Sequence, residues 1–246
     1  MHTGQPPLLV FDLDGTLVDT AADLMATLNA LLVREGHRPL PFSAVGSLVG
    51  QGARVMLERG LRANGVEVEE AVLARLFDDF LEHYSANIAA ESRPFPGVLD
   101  AMDRFAAAGW RMAVCTNKME SLSRRLIGEL GLTDRFHAIC GGDTFTVRKP
   151  DPAHLIGTIA AAGGDPQRSV MIGDSRADIL AARNAGVPVV AVTFGYSDVP
   201  VADFTPDRII DDFAALWEAV HGVVGTGAPV SVAAIRQSPA AGPARD

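Results

Sequence analysis

The chain is nearly without lysine. Of its 21 basic residues only Lys118 and Lys149 are lysines; the rest are arginine. There is no clustered basic stripe, and acids outnumber bases to give a formal net charge of −9. A polyanion is repelled on average, so nucleic acid is excluded as a partner class. No apolar run approaches the roughly 20 residues needed to cross a bilayer, which excludes a helical membrane span. The opening residues Met1 to Pro7 lack the basic segment and apolar stretch of a secretory signal, so the expected compartment is the cytosol. There are only two cysteines, Cys115 and Cys140. Each lies near the end of an apolar run and reads as a small core residue, not as half of a disulfide or a metal ligand. Internal repeats are also missing.

What is present is an alternation. Five apolar runs read as strands: residues 8–11, 112–115, 138–140, 170–172 and 189–192. Most are followed by a turn and a helical pattern. That order predicts an α/β fold, a doubly wound, mainly parallel, Rossmann-like sheet of five to six strands. Ligands of such sheets bind at the carboxyl ends of the strands. One connection is far longer than the others. Between the first and second runs the helical pattern spans residues 21–35, 44–61 and 69–87, with no strand signal. The expected organisation is a core of residues 1–17 and 95–222, an all-helical inserted cap over 18–94, and a disordered tail over 223–246, where Gly, Ala, Ser and Pro take over.

Four polar elements stand at the predicted strand ends. The first is Asp12-Leu13-Asp14-Gly15-Thr16. Alternation puts Asp12 and Asp14 on one side, about 6–7 Å apart along a strand, where they repel unless a hard cation joins them. The second is Thr116-Asn117 ahead of a helix, a hydroxyl and free N–H groups suited to phosphate. The third is Arg148-Lys149-Pro150-Asp151-Pro152. Pro150 favours an extended Lys149, and Asp151 caps a helix with Pro152 in its first turn. The fourth is Gly173-Asp174 with Asp178 one helical turn on, two acids on one helix face.

This set resembles the haloacid dehalogenase superfamily of phosphatases, over about residues 8–221. The resemblance implies roles. Asp12 is the nucleophile and Asp14 the general acid and base. Mg²⁺ is held by Asp12, the Asp14 backbone carbonyl and Asp174, with Asp178 orienting that shell or binding through water. Thr116, Asn117 and Lys149 hold the phosphoryl oxygens. The insertion resembles that family's smallest type of cap. Dehalogenases of the superfamily lack the second aspartate. Its phosphonate-cleaving members need a cap lysine, and residues 18–94 contain none.

Several stretches are similar to the phosphoglycolate phosphatase group: Val49-Gly50-Gln51-Gly52-Ala53, Pro94-Phe95-Pro96-Gly97, Thr116-Asn117-Lys118 and Thr193-Phe194-Gly195-Tyr196. The substrate expected is a small phosphorylated metabolite. Gln51 and Arg54, by the glycine-rich cap turn, are candidate substrate contacts. The alternatives are a phosphatase of a sugar phosphate or pyrophosphate, a mutase resembling β-phosphoglucomutase, or a non-enzymatic receiver module. A receiver is usually near 120 residues and carries its acidic pair ahead of the phosphorylated aspartate. The expected assembly is a monomer or homodimer.

Overall fold

The computed structural model describes residues 5–197 and 199–224. Six strands form one sheet: β1 (Leu8–Phe11), β4 (Arg111–Cys115), β5 (Ala138–Cys140), β6 (Ser169–Gly173), β7 (Val189–Val192) and β8 (Arg208–Ile210). Their order is β5-β4-β1-β6-β7-β8. Every neighbouring pair is parallel. A parallel sheet needs cover on both faces, and the alternation in β1 shows it. Leu9 and Phe11 join one apolar cluster and Leu8 and Val10 the other, all fully buried. The chain leaves β1 for β4 and β5 on one side, then returns to β6 on the other. The carboxyl end of β1 is therefore the point where strand order reverses, and a crevice opens there.

Helices α5 (Val98–Ala107), α6 (Glu120–Glu129), α7 (Pro152–Ala161), α8 (Arg176–Ala185) and α9 (Leu216–Val224) flank the sheet. The residues between β1 and α5 hold helices α1 (Ala21–Arg34), α2 (Val45–Leu48), α3 (Ala53–Ala63) and α4 (Glu70–Ala86). The insertion is rooted in a ribbon of two residues on each side, β2 (Val18–Asp19) against β3 (Arg93–Pro94), antiparallel. Asp23, buried near the start of α1, ties the return segment down. Its carboxylate accepts from the Ser92 Oγ at 2.6 Å, the Ser92 N at 2.9 Å and the Glu91 N at 3.0 Å.

Three expectations change. The helical segment expected over 44–61 is two helices broken at Val49-Gly50-Gln51-Gly52. Gly50 and Gly52 have φ of +99° and +91°, which no helix contains. The sixth strand, Arg208–Ile210, has no apolar run to mark it, because Arg208 and Ile209 lie exposed near the sheet edge. Helix α9 runs through Val224, two residues past the expected end of the core, and Val223 is buried. The rest of the expected tail, 225–246, lies outside the described residues.

Candidate active site

Three polar side chains follow one rule of placement: each stands one residue beyond a strand. Asp12 follows β1, Thr116 follows β4 and Asp174 follows β6. The ladder bonds continue one step past the strands to hold two of them. The Asp12 N donates to the Ile172 carbonyl at 2.9 Å, and the Thr116 N to the Cys140 carbonyl at 3.1 Å. All three side chains are buried.

Lys149 comes from the loop before α7, and Asp178 from the first turn of α8. The Lys149 Nζ donates to the Asp178 Oδ1 at 2.6 Å and lies 2.9 Å from the Asp12 Oδ1. Asp12 Oδ1 also accepts from the Leu13 N at 2.7 Å. Burial opposes charge on Lys149, but Asp12 and Asp178 outweigh it and hold the ammonium above its usual range. The Asn117 amide donates to the Lys149 carbonyl at 3.0 Å, so the second and third motifs are joined by a side chain. As the spacing predicts, Asp151 caps α7 by accepting from the Ala153 N.

Asp178 is fully buried and forms a capping box with Ser175: its Oδ2 accepts from the Ser175 N and Oγ. With Lys149 on Oδ1, both oxygens are engaged. Asp174 accepts from the Thr16 hydroxyl at 3.0 Å and the Tyr196 N at 2.8 Å. Two glycines permit this embrace. A Cβ on Gly195 would lie 2.2 Å from the Asp174 Oδ2, and one on Gly15, where φ is +85°, would lie 2.5 Å from it.

Carboxylate oxygens of Asp12, Asp174 and Asp178 all lie within 4.8 Å of one another. Of these three buried acids, Asp12 and Asp178 share the Lys149 ammonium. Burial, with the charge of Asp178, pushes Asp12 up to about 6 although Lys149 opposes it. Burial, with the charges of Asp12 and Asp178, pushes Asp174 up to about 8. A hard divalent cation relieves this repulsion, and the all-oxygen donor set fits Mg²⁺.

Asp14 departs from the strand-alternation expectation. The strand ends at Phe11 and the chain turns through Gly15, so the Asp14 carboxylate lies outside the three-acid cluster. It accepts from the Thr20 Oγ1 at 2.8 Å and from the Lys118 Nζ at 3.0 and 3.2 Å. Lys118 is the residue the motif reading passed over. Its side chain is only 6% exposed, and Tyr84 of α4 accepts from its Nζ at 2.8 Å. The available signal was scarcity: both lysines of the chain are buried at this site.

A cavity of about 260 Å³ lies between these residues and the insertion. Asp12, Asp14, Thr116, Asn117 and Lys118 form its floor, and Leu24, Met56, Phe77, Phe80 and Leu81 line its apolar wall. Arg54 also lines it, 40% exposed and paired with Glu70. A second, wider cavity of about 870 Å³ adjoins it and is lined by Lys149, Asp174, Ser175 and Gln51. The two candidate cap residues thus border different cavities. The turn they share presses on the core: a Cβ on Gly52 would lie 3.5 Å from the Asn117 carbonyl. Cys115 and Cys140 are free and buried, and burial pushes the Cys115 thiol up to about 12, which removes it as a nucleophile.

Comparison with known proteins places the chain. It is 53% identical over 214 residues to a phosphoglycolate phosphatase of Agrobacterium fabrum, covering 87% of this chain and 92% of that protein. It is 50% identical to one of Mesorhizobium japonicum, covering 85% and 92%. A crystal structure described as a predicted phosphoglycolate phosphatase from Haemophilus somnus superposes with a TM-score of 0.81 at 31% identity, covering 88% of this chain and 98% of that one. Residues 9–192 match the family of haloacid dehalogenase-like hydrolases, and the chain belongs to that family.

Proposed function

We propose that this chain is a Mg²⁺-dependent phosphatase that hydrolyses a small phosphomonoester, 2-phosphoglycolate, through an aspartyl-phosphate on Asp12. The observation that carries this reading is the meeting of Asp12, Thr116, Lys149, Asp174 and Asp178 at neighbouring strand ends, beside a cavity sized for a small metabolite. The names of the relatives support the substrate. The core comprises the described residues up to 17 and from 95 to the end of α9, and 18–94 form a cap domain. Among the described residues no helix is long and apolar enough to cross a membrane. A cytosolic compartment fits the free, buried cysteines, and the assembly proposed is a monomer or homodimer.

Asp12 Oδ1 is fixed by Lys149 and the Leu13 N–H, so Oδ2 is the oxygen that attacks phosphorus. Asp14 gives its proton to the leaving oxygen, then takes one from the water that attacks the aspartyl-phosphate. Thr116, the amides leading into α6, and Lys149 hold the phosphoryl oxygens. Asp12, Asp174 and the Asp14 carbonyl would hold Mg²⁺, with Asp178 adding negative charge beside them. When bound, the ion would neutralise phosphoryl charge. Arg54, in the first turn of α3, borders the substrate cavity, and Gln51 borders the adjoining one.

The test is phosphate release from a panel of 2-phosphoglycolate, hexose phosphates and pyrophosphate. The expected result is Mg²⁺-dependent turnover of 2-phosphoglycolate, lost by at least about 10⁴-fold in Asp12→Asn. Release from none of the panel sinks the reading. Conversion of a hexose 1-phosphate to its isomer without free phosphate replaces it with a mutase.

A further inference from the structure

Lys118 has no part in the phosphoryl chemistry just described, yet it is a buried ammonium in the substrate cavity. Burying such a charge is costly unless it is met. Here Asp14 meets it with both oxygens, and Tyr84 meets it with a hydroxyl at 2.8 Å and a ring centred 4.3 Å away. Around it the cavity wall is apolar, through Leu24, Phe77, Phe80 and Leu81. The other cations lining that cavity differ. Arg148 is exposed, and Arg54 is partly exposed and committed to Glu70. Among the described cations lining this cavity, Lys118 is the desolvated one, and it already grips a carboxylate.

We propose that Lys118 determines specificity by receiving the non-transferred carboxylate of a small phosphorylated acid, exchanging its hold on Asp14 for the substrate. The inference rests on the phosphatase reading and names the substrate class. The exchange conserves charge, since one carboxylate leaves the ammonium as another arrives. Released from Lys118, the Asp14 carboxylate loses the cation that keeps it ionised, takes up a proton from water and turns toward the leaving oxygen. An ester of the same size with a neutral tail leaves Asp14 where it is.

Kinetics and binding test this separately. The wild-type protein and Lys118→Met are compared on 2-phosphoglycolate and on 2-hydroxyethyl phosphate, its neutral-tailed counterpart. Lys118→Met is expected to raise KM for 2-phosphoglycolate about 100-fold. It is expected to cut the preference in kcat/KM for the acid over the neutral ester at least about tenfold, with Lys118→Arg keeping part of it. A preference unchanged in Lys118→Met, while the wild type still hydrolyses 2-phosphoglycolate, overturns the inference and leaves the phosphatase reading standing. Failure of the wild type to release any phosphate overturns the phosphatase reading itself. Binding needs no variant that folds. With two lysines in the chain, lysine-labelled protein gives two side-chain resonances. The unreactive 3-phosphonopropionate is expected to shift the Lys118 signal, and propylphosphonate to leave it in place. Equal shifts with both overturn the proposal.

Discussion

His154 gives a pH test that is independent of catalysis. It is fully buried in α7, its Nδ1 accepts from the Lys149 N at 3.2 Å, and Phe145 packs edge-on against its ring. Burial, with the nearby Lys149 ammonium, pushes it down to about 4 from 6.5. The sign follows from proton counts. Between these values the unfolded chain binds a proton that the folded chain refuses, so stability is complete above about 6.5 and is lost as pH falls toward 4. A shift of that size corresponds to at most about 3.5 kcal/mol, at about 1.4 kcal/mol per unit. The perturbation is His154→Asn, and the assay is urea unfolding of both proteins at pH 7.5 and 4.5. Comparing the two proteins cancels the carboxylates they share. At pH 7.5 the substitution destabilises, because the ring's packing is lost. At pH 4.5 that deficit shrinks by about 2–3 kcal/mol, since only the wild type carries the titration penalty. A deficit of the same size at both values shows that the ring titrates normally and refutes the account.

Two further outcomes follow from close contacts. Gly195→Ala places a Cβ against the Asp174 carboxylate, so Mg²⁺ half-saturation in the activity assay is expected to weaken about 10- to 100-fold; an unchanged half-saturation refutes the tight embrace of Asp174. Asp23→Ala leaves the Ser92 N, Ser92 Oγ and Glu91 N without their acceptor and is expected to cost about 2–4 kcal/mol in urea unfolding; a loss under about 1 kcal/mol counts against that carboxylate as a tie.

The β1 and β6 runs were legible because a strand buried on both faces must be apolar throughout, and the acids that follow them break the pattern abruptly. Arg208–Ile210 was not legible, since a short edge strand has no such run. Asp12, Thr116, Lys149, Asp174 and Asp178 could be named because each sits at a strand end or beside a helix start, where local rules apply. The partner of Asp14 could not. Whether its carboxylate faces a cation site or a lysine depends on a turn at Gly15 and on Tyr84, 70 positions away. The break in the second cap helix was hidden by the apolar spacing on either side of Gly50 and Gly52. The ladder of bonds beyond β1 and β4 was likewise invisible, because it depends on which strands become neighbours.

Tyr196 joins two parts of the molecule that the chain keeps far apart. Its backbone N–H holds Asp174, while its hydroxyl donates to the Asp19 carboxylate and accepts from the Thr20 and Ala21 amides at 2.7 and 3.0 Å. One rigid ring therefore spans from a buried acid of the three-carboxylate cluster to the narrow neck on which helices α1 to α4 hang. Any swing of those helices pivots about that neck and loads the phenol. An insertion that tilts must either carry Asp174 with it or let go of the tyrosine.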